Sequence, residues 1–455
     1  MINHEVFFSL VAKNNVLVSD EDKAYAAHDR SHGLPKVIPA VVVKVSSGQE
    51  LINCVQACLS YKTPLTIRAC GTGRTGGAIS CAGGVVIDVS GLNRILSIDT
   101  ENLTVEVEPG VLLKDLKDAV KEHGLYYPID PASEDICSIG GNVAENAAGP
   151  STVKYGTTRD YLLGGEAIIG TGEIIKFGKQ CVKGVAGLDV ASLLCGSEGT
   201  LAVFTKLRLR LIPYPQGHAC GIYYFRHEHE AIVAVNYLFH NGYRPKRLEY
   251  IDSISLRALG RMLPNMPMLK HPALLIECDA HNNQSAYAEL CAITDILTPL
   301  LVNKKTLETP QDYHDVWQSR ALLSEACSTY LGHKFSEDIA VPLGKLNDLR
   351  IIAQSLSSPP HLMLGLFGHA GDGNLHVQIM FDDPSWAERA AFVSQELLKK
   401  VLDLGGTVAA EHGIGIKKKQ ALIMEQSEAL IALQKRLKLA FDPHNLLNPG
   451  KIFDL

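Results

Sequence analysis

This sequence of 455 residues contains no Cys-x-x-Cys pair, no block of like charge and no long unbroken apolar run. Its 11 cysteines are odd in number and scattered from Cys54 to Cys327. That pattern speaks against a disulfide framework, a zinc finger or an iron–sulfur ligand set, and leaves buried reduced thiols. Lysine and arginine number 43 against 49 acidic residues, a formal charge of −6, so neither nucleic acid nor an anionic membrane is expected as the main partner. No stretch is apolar for long enough to suggest a transmembrane helix. Met1 to Asn15 carries Glu5 and lacks a basic start followed by an apolar stretch; secretion and insertion are not signalled, and the cytoplasm is the expected compartment. Internal repeats and low-complexity tracts are missing too. What the chain does have is 46% hydrophobic and 20% charged residues, enough apolar material for more than one core.

The first half alternates short β-rich runs with helices. Val37 to Val45 reads as extended, Gln49 to Ser60 has Leu51, Ile52, Val55 and Leu59 at helical spacing, and Pro64 to Arg68 is extended again. Val85 to Val89 and Leu103 to Val107 follow as strands, then a helix from Leu112 to His123 stopped by Gly124. After Pro213 and Pro215 the texture changes to longer helices and isolated strands, such as Ala231 to Asn241, Ala273 to Cys278, Trp317 to Thr329 and Ala387 to Leu404. A domain boundary is therefore expected near Pro213.

Gly71-Thr-Gly-Arg-Thr-Gly76 matches G-x-G-x-x-G, but its context is wrong for a Rossmann site. Such a loop must open a helix whose N-terminus meets the pyrophosphate. Here Gly77 and Gly83-Gly84 lead straight into Val85-Val-Ile-Asp-Val89. Two readings remain for this loop alone: a nest of backbone N–H groups around a pyrophosphate, or tight turns between strands. Ile139-Gly-Gly-Asn-Val-Ala-Glu-Asn-Ala-Ala-Gly149 and Cys195-Gly-Ser-Glu-Gly-Thr200 add two more runs of small residues, which suits a dinucleotide-sized ligand lying against backbone.

Leu362 to Gly368 and Leu375 to Met380 read as strands joined by the turn-forming Ala370-Gly-Asp-Gly-Asn374. A hairpin of that kind puts His369 and His376 within reach of each other, roughly 5 Å apart at Cβ. Glu411, followed at once by His412 in a glycine loop, is a third candidate ligand beside a proton acceptor. Two imidazoles and a carboxylate form a His₂Glu set that leaves a position open for catalysis; zinc fits best, while iron, cobalt or manganese also accept such donors. Upstream, Arg320 and Ser324 stand four residues apart in a helical stretch, and Lys334 follows. An arginine fork suits a substrate carboxylate, although a solvated surface charge is the ordinary role of either cation.

In order along the chain, these motifs resemble the flavin-binding oxidoreductases of the vanillyl-alcohol oxidase type, and within them the D-lactate, D-2-hydroxyglutarate and glycolate dehydrogenase group. The resemblance runs from the Gly71 loop through Ile139 to Gly149, Tyr155-Gly-Thr-Thr-Arg159, Gly196-Ser-Glu-Gly199, Gly368 to His376 and Glu411 to Gly415, ending at Asp442-Pro-His-Asn-Leu-Leu-Asn-Pro-Gly-Lys451. It implies an α+β fold: a two-part FAD-binding domain of the PCMH type over 1–212, an α+β cap for the substrate over 213–408, and a segment, 409–455, packing back on the FAD domain. It implies flavin contacts from Arg68, Gly71, Thr72, Gly73, Thr75, Gly76, Ser138, Gly141, Asn142, Asn146, Glu198, Gly199 and Asn448. It also implies zinc on His369, His376 and Glu411, His412 as the base, and substrate contacts from Arg320, Ser324, Lys334 and Gln378. Some relatives attach the flavin through a histidine; the Gly71 loop has none, so FAD is expected to be non-covalent. Arg320, Ser324 and Lys334 look most like the D-2-hydroxyglutarate branch. Gln378, however, stands where that branch carries asparagine, and the Gly71 loop looks more like the lactate and glycolate relatives.

The expected reaction is hydride transfer from a small D-2-hydroxy acid to the flavin, giving a 2-oxo acid. Lacking a cysteine cluster, the chain is expected to pass electrons to an external quinone, electron-transfer flavoprotein or iron–sulfur subunit. A peripheral membrane position would come through that acceptor, and a homodimer is compatible with everything above. Two rival readings predict different behaviour. A zinc-dependent hydrolase using the same His₂Glu set would be colourless and need no acceptor, whereas the flavin subunit of a glycolate oxidase-like assembly would depend on partner chains.

Overall fold

The computed structural model describes residues 3–263 and 271–455. The chain divides into two compact units. One takes the chain up to Ala148, Thr157–Tyr214 and Glu411–Leu455; the other takes Gly149–Gly156 and Pro215–Ala410. The loan of Gly149–Gly156 to the second unit left no mark on the sequence pattern.

In the first unit, β1 (Val16–Leu17), β2 (Val41–Lys44), β3 (Leu65–Arg68) and β4 (Val85–Asp88) form a sheet in the order β1-β2-β4-β3, with β2, β4 and β3 parallel. Val41, Val42 and Val43 are all buried because both sheet faces are covered. On one face lies α1 (Gly48–Ser60), capped by the Ser47 hydroxyl and burying Leu51, Cys54, Val55 and Cys58. Full burial of a leucine or valine of this kind contributes about 1.5–3 kcal/mol. A second, antiparallel sheet holds β5 (Ile95–Asp99), β6 (Thr104–Val107), β7 (Leu162–Ile169), β8 (Ile174–Gly178) and β9 (Ala202–Arg210) in the order β5-β6-β9-β7-β8.

The C-terminal stretch is anchored to this unit by buried charge. The Lys438 ammonium donates to Thr200 O at 2.6 Å and Leu447 O at 2.8 Å and pairs with Asp442. Lys451 is buried as well, and burial brings its pKa down to about 8 despite the nearby Cys81, Glu198 and Asp29. Between about pH 8 and the unfolded value near 10.5 the unfolded chain holds more protons at this position, so stability rises with pH, by up to ~1.4 kcal/mol per unit from this one group. Lys451→Met should abolish that rise in a comparison of thermal midpoints at pH 7.5 and 9.5; parallel curves for the two proteins would refute it.

The second unit is built on a seven-stranded antiparallel sheet: β10 (Gly217–Phe225), β11 (Arg247–Ile251), β12 (Ala273–Ala280), β13 (Leu301–Leu307), β14 (His333–Ala340), β15 (Leu362–His369) and β16 (Asn374–Phe381), ordered β13-β10-β12-β11-β15-β16-β14. Helices Glu228–His240, Leu346–Leu356 and Ala387–Asp403 pack on one face, reached by Tyr250 and Glu337. The opposite face has an apolar end, where Ile251, Phe367 and Met380 meet Leu256, Leu259, Leu323 and Cys327. On the same face Cys220, Leu275 and Leu307 form a second apolar cluster with Tyr313, Val316 and Trp317, and other positions, among them Glu249 and Glu277, carry charge.

The helix expected over Trp317 to Thr329 is in fact two, Pro310–Ala321 and Leu323–Leu331, joined at Leu322. Arg320 and Ser324 therefore lie on successive helices and serve different neighbours. Among the described residues, no helix is long and apolar enough to cross a membrane.

Candidate active site

The glycine loop of the first unit joins β3 to β4, which are parallel neighbours, without an intervening helix. This geometry is incompatible with a Rossmann crossover and leaves backbone as the ligand surface. At Gly71, with φ of 60°, an added Cβ would lie 2.1 Å from Arg68 Nη2, so the guanidinium occupies the space a side chain would need. Separate segments are drawn to this loop by hydrogen bonds. Asn448 Nδ2 donates to Gly77 O at 3.0 Å and Glu198 O at 2.7 Å, while its Oδ1 accepts from Thr66 at 3.0 Å. The Glu198 carboxylate accepts the N–H groups of Ile414 and Gly415, both at 2.7 Å, and Thr75 O accepts from Ile416 at 2.8 Å. Thr75 also donates its hydroxyl to His412 O at 3.1 Å.

Ser138 caps helix Ile139–Glu145 by accepting from Gly141 N. Gly196 N and Glu198 N donate to Val143 O and Ala144 O, and Asn146 Oδ1 accepts from Arg159 N at 2.9 Å. Arg68, Thr75, Ser138, Asn142, Glu198 and Asn448 are buried in this network. Gly73 O accepts from Arg30 N in the same loop, which also holds Thr72 and Gly76, and Gly199 follows Glu198. The buried Arg68 Nε and Ser197 Oγ find no partner among the described residues. Orphaned polar atoms beside a glycine-lined backbone fit a bound polar ligand of the flavin-dinucleotide kind.

In the second unit, strand register gathers the expected side chains on the charged face. Glu249 pairs across β11 and β15 with His369; Phe367 pairs with His376, and His376 in turn with Asp338; Gln378 is flanked by Gly365 and Ser336; Lys334 lies two residues before Ser336. Because side chains alternate with period two, all of these project from one face. His369 and His376 are diagonal neighbours rather than directly opposite, and their rings stand edge to face with centroids 5.5 Å apart.

Each imidazole has a carboxylate at Nδ1: Glu249 hydrogen-bonds His369, and Asp338 Oδ1 lies 3.5 Å from His376. Both acids are buried, at 0% and 2% exposure. Burial alone would raise the Glu249 pKa, but Arg320 and His369 together outweigh it and hold the carboxylate ionised, below the usual range. A carboxylate at Nδ1 fixes the proton there and leaves Nε2 as the lone-pair nitrogen, the arrangement usual behind histidines that bind metals. Arg320 gives its Nε to Glu249 and lays its guanidinium over Phe367 at 5.0 Å. Lys334 Nζ bonds Ser324 Oγ at 2.7 Å and Gln378 Oε1 at 3.0 Å, and Gln378 Nε2 donates to Ser336 at 2.9 Å. Arg320, ion-paired with Glu249, and Lys334, held by Ser324 and Gln378, thus bring two cations to one face.

Glu411 and His412 open the C-terminal part of the first unit, with His412 Nε2 3.4 Å from Glu411 Oε1. Glu249 and Asp338 escaped the sequence reading. Their only signal was an acidic residue inside a strand run, in Arg-Leu-Glu-Tyr-Ile and Ser-Glu-Asp-Ile-Ala, which solvent exposure explains equally well.

A parallel sheet and an antiparallel sheet around glycine loops, joined in sequence to a large antiparallel sheet with a charged face, define a two-domain flavoprotein. Residues 215–452 match the C-terminal domain of FAD linked oxidases, and residues 39–178 match an FAD binding domain. The chain therefore belongs to the FAD-linked oxidase family, and it is an FAD-linked oxidoreductase.

It is 32% identical to the D-lactate dehydrogenase of Anaerostipes hadrus over 98% of this chain and 96% of that one. It is also 32% identical to the glycolate oxidase subunit GlcD of Bacillus subtilis, over 91% and 89%. Among solved structures, p-cresol methylhydroxylase with substrate bound superposes with a TM-score of 0.81 at 17% identity, covering 99% of this chain and 96% of the other. Alkyldihydroxyacetonephosphate synthase gives 0.77 at 16%, over 98% and 85%. The fold is therefore the α+β, PCMH-type FAD-binding domain with its α+β second domain.

Proposed function

We propose that this protein oxidises a small D-2-hydroxy acid, with D-2-hydroxyglutarate or D-lactate favoured, to the corresponding 2-oxo acid. The observation that carries the reading is the pair of imidazoles, His369 with its Nδ1 hydrogen-bonded to buried Glu249 and His376 with its Nδ1 3.5 Å from buried Asp338, on the face that also carries Lys334 and Gln378. Non-covalently bound FAD would supply the hydride acceptor, and a divalent metal, zinc by donor type, would supply Lewis acidity at the substrate hydroxyl. His369, His376 and Glu411 are the residues that would hold the metal. Arg320 and Lys334, with Ser324 and Gln378, bind the acid's carboxylate and fix its orientation. His412 accepts the hydroxyl proton at a ring nitrogen. Arg68, the Gly71–Gly76 loop, Ser138, Gly141, Asn142, Asn146, Glu198, Gly199 and Asn448 bind the flavin or shape its cradle. Electrons then leave to an external quinone, electron-transfer flavoprotein or iron–sulfur protein.

Mixing the purified yellow protein anaerobically with D-lactate, D-2-hydroxyglutarate, D-malate and glycolate should bleach the flavin with at least one of them, and the L-enantiomers should leave it oxidised. A colourless protein, or a flavin untouched by all of these acids, would overturn the reading. A second reading is favoured by the GlcD relatives, whose name is that of a subunit: the chain works as the flavin subunit of an assembly. Full turnover by the isolated chain with a free dye would count against an obligate assembly.

A further inference from the structure

We infer that Glu249 is a positioning residue that couples the imidazole of His369 to the guanidinium of Arg320, an inference that rests on the reading above. Its side chain is fully buried, with one carboxylate oxygen on His369 Nδ1 and the other on Arg320 Nε. The fold fixes both ends of this bridge. Glu249 stands directly across from His369 in the β11–β15 register. Arg320 arrives from helix Pro310–Ala321 and is held by the Phe367 ring, which belongs to the same strand as His369.

Two consequences follow from one carboxylate. Accepting the Nδ1 proton presents the Nε2 lone pair of His369 to a metal. Accepting Nε orients the planar fork of Arg320 so that its two Nη groups stay available for a substrate carboxylate. Glutamine carries only one acceptor oxygen, and its amide N–H₂ opposes a donor at whichever end it faces. Aspartate is one methylene shorter and cannot span both partners without backbone movement.

The test uses the purified holoenzyme and two readouts: Zn²⁺ affinity by competition with a chelator, and KM at saturating zinc for the acid that bleaches the flavin fastest. Glu249→Gln should lower zinc affinity 10–100-fold and raise KM tenfold or more, with a smaller change in kcat and unchanged FAD content. Asp338→Asn, which alters the carboxylate behind His376 and none of the Arg320 partners, should weaken zinc while leaving KM within threefold. Zinc affinity within threefold of wild type in Glu249→Gln, or an unchanged KM, overturns the coupling. Should Glu249→Gln fail to fold, Glu249→Asp is judged by the same two criteria. Wild-type protein that binds no zinc overturns the metal reading and the coupling with it, whereas zinc-bound wild type with indifferent Glu249 variants overturns the coupling alone.

Discussion

His412→Ala should lower kcat and kcat/KM together by about 10²–10⁴-fold, the usual worth of a positioned general base, while FAD content and the flavin spectrum stay as in wild type. The separation of the two effects follows from how the residue is held. Thr75 bonds only the carbonyl oxygen of His412, which alanine keeps, and the clasp of Glu198 on the N–H groups of Ile414 and Gly415 is untouched. The cradle therefore survives and only the imidazole is lost. Stopped-flow bleaching of the flavin by excess substrate measures this directly, because it isolates reduction from reoxidation by the acceptor. Undiminished reduction would rule out His412 as the base.

Removing the metal should cost roughly 10³-fold or more in turnover, the scale of several kcal/mol of charge stabilisation at a reacting oxygen. Dialysis of the purified protein against a strong chelator and His376→Ala should have the same effect on activity, and metal analysis should fall from near one ion per chain toward zero in both. Added Zn²⁺ should restore the dialysed wild type but not the variant. The variant carries a second, smaller cost: Asp338, at 2% exposure, loses the imidazole beside it but keeps Asn374 Nδ2 and Ala410 N as donors, and about 1 kcal/mol of stability is expected to go with that partner. Chelation has no such cost, so agreement between the two treatments assigns the activity loss to the metal. Full activity after exhaustive chelation would remove the metal from the mechanism.

Much of the first unit was readable before any coordinates. The valine-rich runs at Val41 and Val85, and the four-residue rhythm of Leu51, Val55 and Leu59, report burial directly, since an apolar face must be covered wherever it lies. The refusal of the Gly71 loop as a Rossmann turn was equally local: strand followed glycine with no room for a helix, and β3 and β4 are indeed parallel neighbours without one. The hairpin around His369 and His376 was readable from its turn residues. What failed was reach across elements. Trp317 to Thr329 had the composition of one helix, and only packing shows the joint at Leu322 that sends Arg320 to Glu249 and Ser324 to Lys334. Gly149–Gly156 carries no signal for the unit it joins.

The sequence by itself determined the chemistry on offer: glycine-lined backbone for a dinucleotide, imidazoles and a carboxylate able to ligate a metal, cations able to hold an acid. Those are properties of residue type and short spacing, and both are local. Only the tertiary structure decided that Glu249, His369, His376, Asp338, Gln378 and Lys334 share one sheet face, because a period of two fixes the side of a strand but not which strand lies next to it or in what register. The two carboxylates beside the imidazoles, Glu249 and Asp338, come from other strands of the sheet and are held in the interior by partners that no local pattern names.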